Sequence, residues 1–197
     1  MEPITIRDAR KEDASDIARL FMMAWPVEEF LAMDPSLTEE GLCSRIRRYV
    51  EAGDTLYSYV NTVVATVMHD GAEKVVGALN GYDGALYEEL KRPITDDFRN
   101  SFQDSGNDFS KVKETEAGEF YLDSAGVDPS MRSHGIGSRL FEAAIARAKS
   151  QGFTTVGLIV DVDKPKAEAL YLRLGFVNKG YKDFFGHAMK HMQLEVK

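Results

Sequence analysis

Two rhythms of apolar and polar positions run along this chain, one of period two and one of period three to four, and the switches between them mark its elements. Ile4 and Ile6 alternate with polar neighbours and predict a short strand. Asp13 then precedes Ile17, Ala18, Leu20, Phe21 and Ala24 at helical spacing, and Pro26 ends that helix. A mixed aromatic and acidic loop is expected over 25–35. Leu42, Ile46, Tyr49 and Val50 predict a second helix, with Thr38 at its capping position and Gly53 at its stop. Strand-like segments follow at 56–60 and 62–68. A turn at 70–72, opened by Asp70-Gly71, leads to a return strand over 73–80, so this region reads as a hairpin.

Regularity breaks over 83–118. The stretch holds two short helix candidates, 85–91 and 95–102, separated by Pro93, and then a polar run over 104–116. It reads as an insertion, ordered first and mobile later, and serves either as a solvated connection or as a substrate cover. A strand over 119–127 precedes a helix over 137–151 with Gly152 as its cap, and Thr154 opens a continuous β-branched run typical of a buried strand. That unit implies a right-handed parallel crossover. Pro165 opens a compact helix with Ala167, Leu170, Tyr171 and Leu174 on one stripe and Gly175 at its end. Two tail strands, 176–181 and 189–196, are joined by 182–188. The whole is one α/β domain over 1–197, in the order β-α-α-β-β-(insertion)-β-α-β-α-β-β.

Composition narrows the function classes. The chain has 197 residues, 44% hydrophobic and 28% charged, enough for one full core. A net charge of −8 supplies no basic field for nucleic acid or an anionic membrane, and it suits cationic, amine-bearing partners. Cys43 is the only cysteine, which excludes an intramolecular disulfide and a cysteine-based zinc site. No signal-peptide pattern and no run of membrane-spanning length is evident, so the expectation is a cytoplasmic protein. His187 and His191 lie in a strand-like segment with no third ligand near in sequence, and no metal is expected.

The chemistry concentrates between Val127 and Leu140, which reads Val-Asp-Pro-Ser-Met-Arg-Ser-His-Gly-Ile-Gly-Ser-Arg-Leu. Strand, turn, glycine loop and helix in succession form an anion-binding arrangement. Gly135 and Gly137 allow a tight turn with exposed N–H groups, the helix start adds partial positive charge, and Arg132 adds a formal one. No Gly-Lys-Ser/Thr follows, so this is no Walker loop, and the dinucleotide Gly-x-Gly-x-x-Gly is absent too. Arg132, Gly135 and Gly137 instead resemble Arg/Gln-x-x-Gly-x-Gly/Ala, the acetyl-CoA pyrophosphate loop of the GNAT superfamily of N-acetyltransferases. A second segment, Ala167 to Phe176, is similar to that family's Ala-x-x-Leu-Tyr-x-x-x-Gly-Phe. The element order agrees over nearly the whole chain apart from 83–118.

This resemblance implies a mixed, mostly antiparallel central sheet with a splayed parallel strand pair, flanked by helices. It implies acetyl-CoA as acyl donor, held by Ala125, Gly126 and Val127 along the strand and by Arg132, Ser133, His134, Gly135, Ile136, Gly137 and Ser138 in the loop. The family often has asparagine where this chain has Lys164; a lysine still reaches a phosphate as a point charge but lacks an amide's paired donor and acceptor. Tyr171 takes the position whose hydroxyl approaches the CoA sulfur, and a core aromatic is the plain alternative. Asp123 sits where many relatives carry the base that deprotonates the incoming ammonium. A satisfied buried carboxylate is its alternative, and Asp161 is the reserve. Strict alternation puts Tyr121, Asp123, Ala125 and Val127 on one strand face.

The implied activity is direct acetyl transfer to a small-molecule primary amine. The acceptor side is expected from 25–34, Tyr82, Asp123 and the tail loop around Phe184 and Phe185. Cys43 lies far in sequence from both motifs, which disfavours an acetyl-cysteine intermediate. A homodimer through the tail strands is a further possibility of the fold. Two other readings stay open: a non-catalytic acyl-CoA-binding or sensor domain, and a protein N-terminal or lysine acetyltransferase, whose peptide groove the 83–118 stretch would obstruct.

Overall fold

A computed structural model describes residues 3–34, 36–101, 112–184 and 186–197. Among them, β1 (Thr5–Asp8), α1 (Ala14–Phe21), α2 (Val27–Met33), α3 (Glu39–Glu51), β2 (Thr62–His69) and β3 (Ala72–Asp83) form the first half. The second half comprises α4 (Tyr87–Ser101), β4 (Phe120–Val127), α5 (Ile136–Ser150), β5 (Thr155–Asp161), α6 (Pro165–Arg173), β6 (Val177–Phe184) and β7 (His187–Glu195). The strands make one sheet in the order β1-β2-β3-β4-β5-β7-β6. Every neighbouring pair is antiparallel except β4 and β5, so the expected mixed sheet with one parallel pair is present.

Each face of the sheet carries a core. Ile17, Leu20 and Phe21 of α1 join Leu42 and Ile46 of α3 and Val64, Ala78 and Tyr82 of the sheet on one side. Ile136, Leu140 and Phe141 of α5 join Val63, Ala65 and Leu79 on the other. The alternation of Val63, Val64 and Ala65 between the two cores is the period-two pattern of a strand buried on both faces.

Four local expectations change. Residues 27–33 form α2 rather than a loop: Val27 opens it directly after Pro26, and Phe30 is buried against the α1 core. Residues 56–60 are not a strand. The Leu56 N–H donates to the Leu90 carbonyl of α4 at 3.1 Å, and the Leu56 carbonyl accepts from Asn80 Nδ2 at 2.9 Å, so its polar groups are satisfied outside any ladder. The two candidates flanking Pro93 merge into α4. An interior proline costs about 3 kcal/mol. Tyr87, Ile94 and Phe98 are buried along one stripe and each contributes about 1.5–3 kcal/mol, which outweighs that cost. The tail strands run longer than expected and meet at a tight turn, with Gly186 at φ 83°. The expected mobile part of 83–118 falls largely on 102–111, outside the described residues.

The N-terminal hairpin turns as its sequence requires, since Asp70 and Gly71 both take positive φ, 50° and 79°. Thr38 caps α3, its hydroxyl accepting from the Gly41 N–H at 3.0 Å. No helix among the described residues is long and apolar enough to cross a membrane.

Candidate functional site

The site originates in a break between the parallel strands. β4 pairs with β5 only at Phe120 with Val156 and Tyr121 with Gly157, and beyond that point the strands diverge. Opposite, β3 and β4 slip register: Leu79 faces Ala125 but Gly81 faces Leu122, leaving Asp123 and Ser124 opposite Asn80 alone. This is a β-bulge. Asn80 satisfies the displaced backbone, its Oδ1 accepting from the Ser124 N–H at 2.8 Å. The bulge also breaks the expected strict alternation. Tyr121 stays in the α1 core, whereas Ala125 and Val127 pack with the α5 core. Gly126 turns toward α1 so closely that a Cβ would lie 2.2 Å from the Leu20 carbonyl oxygen.

A cavity of about 500 Å³ opens at this divergence. It brings Asp123, Ala125, Lys164 and Tyr171 onto one set of walls; Gly126, Val127 and residues 132–138 are not among its lining. Tyr171 packs on Phe141 and Phe176, with ring centroids 5.2 and 6.2 Å away. Its hydroxyl makes no hydrogen bond among the described residues, and burial pushes its pKa up to about 12. It is therefore a neutral phenol with an unused donor facing open space. Lys164 stands exposed before Pro165 at the start of α6.

The loop ahead of α5 has the features of an anion nest. Arg132, Ser133, His134 and Gly135 are exposed, Ile136 is buried, and Gly137 and Ser138 are half-buried. Ser133 and Gly135 both adopt positive φ, 64° and 74°. Among the described residues, the first intrahelical bond runs from the Arg139 N–H to the Gly135 carbonyl at 3.1 Å, and the N–H groups of 133–138 donate to no backbone carbonyl. A Cβ on Gly137 would lie 3.8 Å from the Leu170 side chain, so α6 borders this loop.

The far end of the cavity is aromatic and acidic. Trp25 lies 5.2 Å from both Phe30 and Tyr57, and Phe30 lies 5.4 Å from Phe98, centroid to centroid. The cross-strand pair Tyr82 and Tyr121 each donate to a different carboxylate. Tyr82 Oη donates to Asp123 at 2.7 Å, and Tyr121 Oη donates to Glu114 at 2.9 Å. Ser124 Oγ adds a 3.0 Å bond to Asp123, and Tyr87 Oη a 3.3 Å bond to Glu114. Burial raises the Asp123 pKa against the pull of Tyr82 and Ser124. Burial and then the Asp123 charge push Glu114 up to about 8, against Tyr121, Tyr87 and Lys91. Glu114 belongs to the polar run over 104–116, and no spacing or motif in the sequence singles it out.

The other expected acceptor groups divide. Trp25, Glu29, Phe30 and Phe184 line the cavity, Tyr82 reaches it through Asp123, and Phe185 lies outside the described residues. Asp161 lines the cavity, 3.6 Å from His187 Nδ1. His191 instead meets Glu119 at 3.0 Å. Cys43 packs on the α1 core, away from the cavity lining, and burial raises its thiol pKa.

A family model described as the acetyltransferase (GNAT) family matches residues 66–176. Two curated mycothiol acetyltransferases resemble part of the chain. The protein from Catenulispora acidiphila is 33% identical over 73 residues, covering 37% of this chain and 23% of its own length. That from Paenarthrobacter aurescens is 38% identical over 74 residues, covering 38% and 22%. The matched stretch thus spans about a quarter of these relatives. A solved structure described as an acetyltransferase is 30% identical over 98% of this chain and 100% of its own, with a TM-score of 0.76.

Proposed function

Because the chain belongs to the GNAT family of acetyltransferases, we propose that it transfers an acetyl group from acetyl-CoA directly to a primary amine of a small molecule. The observation that carries this reading is the single cavity bounded by both a neutral phenol with an unused donor, Tyr171, and a carboxylate of raised pKa, Asp123.

Acetyl-CoA, when bound, supplies the activated acetyl group. The donor set fits it: the N–H groups of 133–138 and the Arg132 guanidinium suit a pyrophosphate, and Lys164 at the cavity rim suits a further phosphate. The edge of β4 past Tyr121, at Ala125, Gly126 and Val127, has lost its β5 partner and suits an amide-bearing arm. Asp123 takes the proton from the incoming ammonium, for which a raised pKa favours proton affinity near neutrality. Tyr171 donates toward the departing sulfur without adding charge of its own. Cys43 packs away from the cavity, which supports direct transfer over an acetylated thiol. The curated relatives are named mycothiol acetyltransferases, but the shared stretch is too short to carry an acceptor over.

The test is thiol release from acetyl-CoA across a panel of small primary amines. Release is expected with at least one amine, and Asp123→Asn is expected to lower it about a hundredfold. Tight CoA binding without release on any amine would instead make this a binding domain.

A further inference from the structure

Resting on the acetyltransferase reading, we propose that the acceptor is a cation whose charged head is held between Asp123 and Glu114 against aromatic rings, and that Glu114 sets the preference for cationic over neutral acceptors. Three observations converge on this. The two carboxylates come from separate segments, β4 and the connection after α4, yet the paired Tyr82 and Tyr121, whose rings are 5.9 Å apart, hold one each. The same cavity is walled by Trp25, Tyr57 and Tyr87, whose ring faces attract cations. Within that wall the protein already seats an ammonium of its own: Lys91 Nζ lies 5.0 Å from the Tyr87 ring centroid and donates to the Val112 carbonyl. The Tyr57 hydroxyl, lining the cavity, makes no hydrogen bond among the described residues and is left for a ligand.

Charge decides what enters. The groups facing Glu114 are Asp123 and Tyr121 of β4, Tyr87 and Lys91 of α4, and Lys182 of β6, whose Nζ donates to the Glu114 carbonyl at 2.6 Å. Tyr57 and Tyr82 complete the set, both held neutral by burial and the nearby carboxylates. Glu29, Glu114, Asp123 and Asp161 line the cavity with Lys91, Lys164 and His187, so among the described residues acidic groups outnumber basic ones there. Burial opposes ionisation of both Glu114 and Asp123, and each carboxylate's charge disfavours the other's, so the pair gains negative charge as pH rises. Cation affinity then rises with pH, the opposite of a simple competition with protons on an amine substrate.

A quaternary ammonium separates these effects, because it neither titrates nor accepts acetyl. Trp25 is the only tryptophan, so its fluorescence reports the cavity wall directly. Benzyltrimethylammonium titrated between pH 6.5 and 9 is expected to bind about tenfold tighter at the upper end. Glu114→Gln is expected to flatten that dependence while CoA binding stays unchanged. Tyr121→Phe, which removes a donor to Glu114, is expected to keep the dependence and move it to higher pH. A flat profile in the wild-type protein, or an unchanged one in Glu114→Gln, overturns the proposal. Thiol release with amines alongside absent probe binding would remove this inference alone. Probe binding without any release would remove the enzymatic reading and leave a cation site.

Discussion

The loop ahead of α5 and the wall between α2 and α4 both lie near α6, the loop beside Leu170 and the wall in the cavity that Tyr171 also lines, but they are made of different material. The loop is backbone: its chemistry lies in N–H groups of 133–138 that a glycine-permitted turn leaves unpaired. The wall is side chain: Trp25, Phe98, Glu114 and Asp123 arrive from four separate stretches and depend on packing to meet. A backbone site needs its residues adjacent in the chain, whereas a side-chain site needs them adjacent only in space. The first kind is tuned to a group common to many reactions, and the second is where one protein's choice of acceptor resides.

Four changes test that division. Tyr171→Phe, at the junction of the two regions, is expected to have the largest effect, lowering turnover about a hundredfold with the acceptor KM little changed. Steady-state kinetics decide it, and unaltered turnover would reduce Tyr171 to a core aromatic. Gly126→Ala forces a Cβ onto the Leu20 carbonyl and is expected to cost about 2–3 kcal/mol in denaturant unfolding. A cost near zero would mean that α1 does not bear on β4 as described. Gly135→Ala meets no atom within 4 Å, so its cost is conformational, about 1 kcal/mol for a side chain at φ 74°. It is expected to raise the KM for acetyl-CoA several-fold and leave the acceptor KM alone; an equal rise in both would erase the distinction between the regions.

The smallest effect concerns acid stability. Burial opposes ionisation of Glu119, but hydrogen bonds from His191, Gln193 and Thr115 prevail and hold its pKa below the usual carboxylate value. Its contribution is present above the unfolded pKa of about 4.5 and is lost as pH falls through the lower folded value. Glu119→Gln is therefore expected to show a shallower loss of stability on acidification than the wild-type protein, read from urea midpoints between pH 6 and 3.

What the sequence disclosed follows the same division. Gly135, Gly137 and the helix after them are contiguous, and their spacing pointed to an anion loop with no structure in hand. Asp123 was legible through the family resemblance, and its place in an otherwise apolar strand gave a reason for a raised pKa. Its orientation was not legible, since the bulge opposite Asn80 depends on a register set by β3. Glu114 was hidden because one glutamate in a polar run resembles its solvated neighbours, and only folding buries it beside Tyr121. Residues 56–60 looked like a strand by their β-prone side chains, but Leu56 bonds to α4 and Asn80 while Ser58 and Val60 bond within a local turn. Local propensity yields there to a tertiary partner.

The short contact between β4 and β5 bears on how the protein breathes as well as on what it holds. Among the described residues, two residue pairs are all the backbone ladder that joins β1 through β4 to the β5, β7 and β6 ribbon, a narrow seam in the sheet that the core under α5 also spans. Glu119 crosses that seam: its carboxylate lies over Gly157, where a Cβ would sit 2.0 Å away, and binds His191 and Gln193 on β7. It adds a polar clasp across the seam to the core that both halves share. Amide hydrogen exchange along β5 and β7 accordingly becomes faster in Glu119→Gln, while exchange along β2 and β3 keeps its wild-type rate.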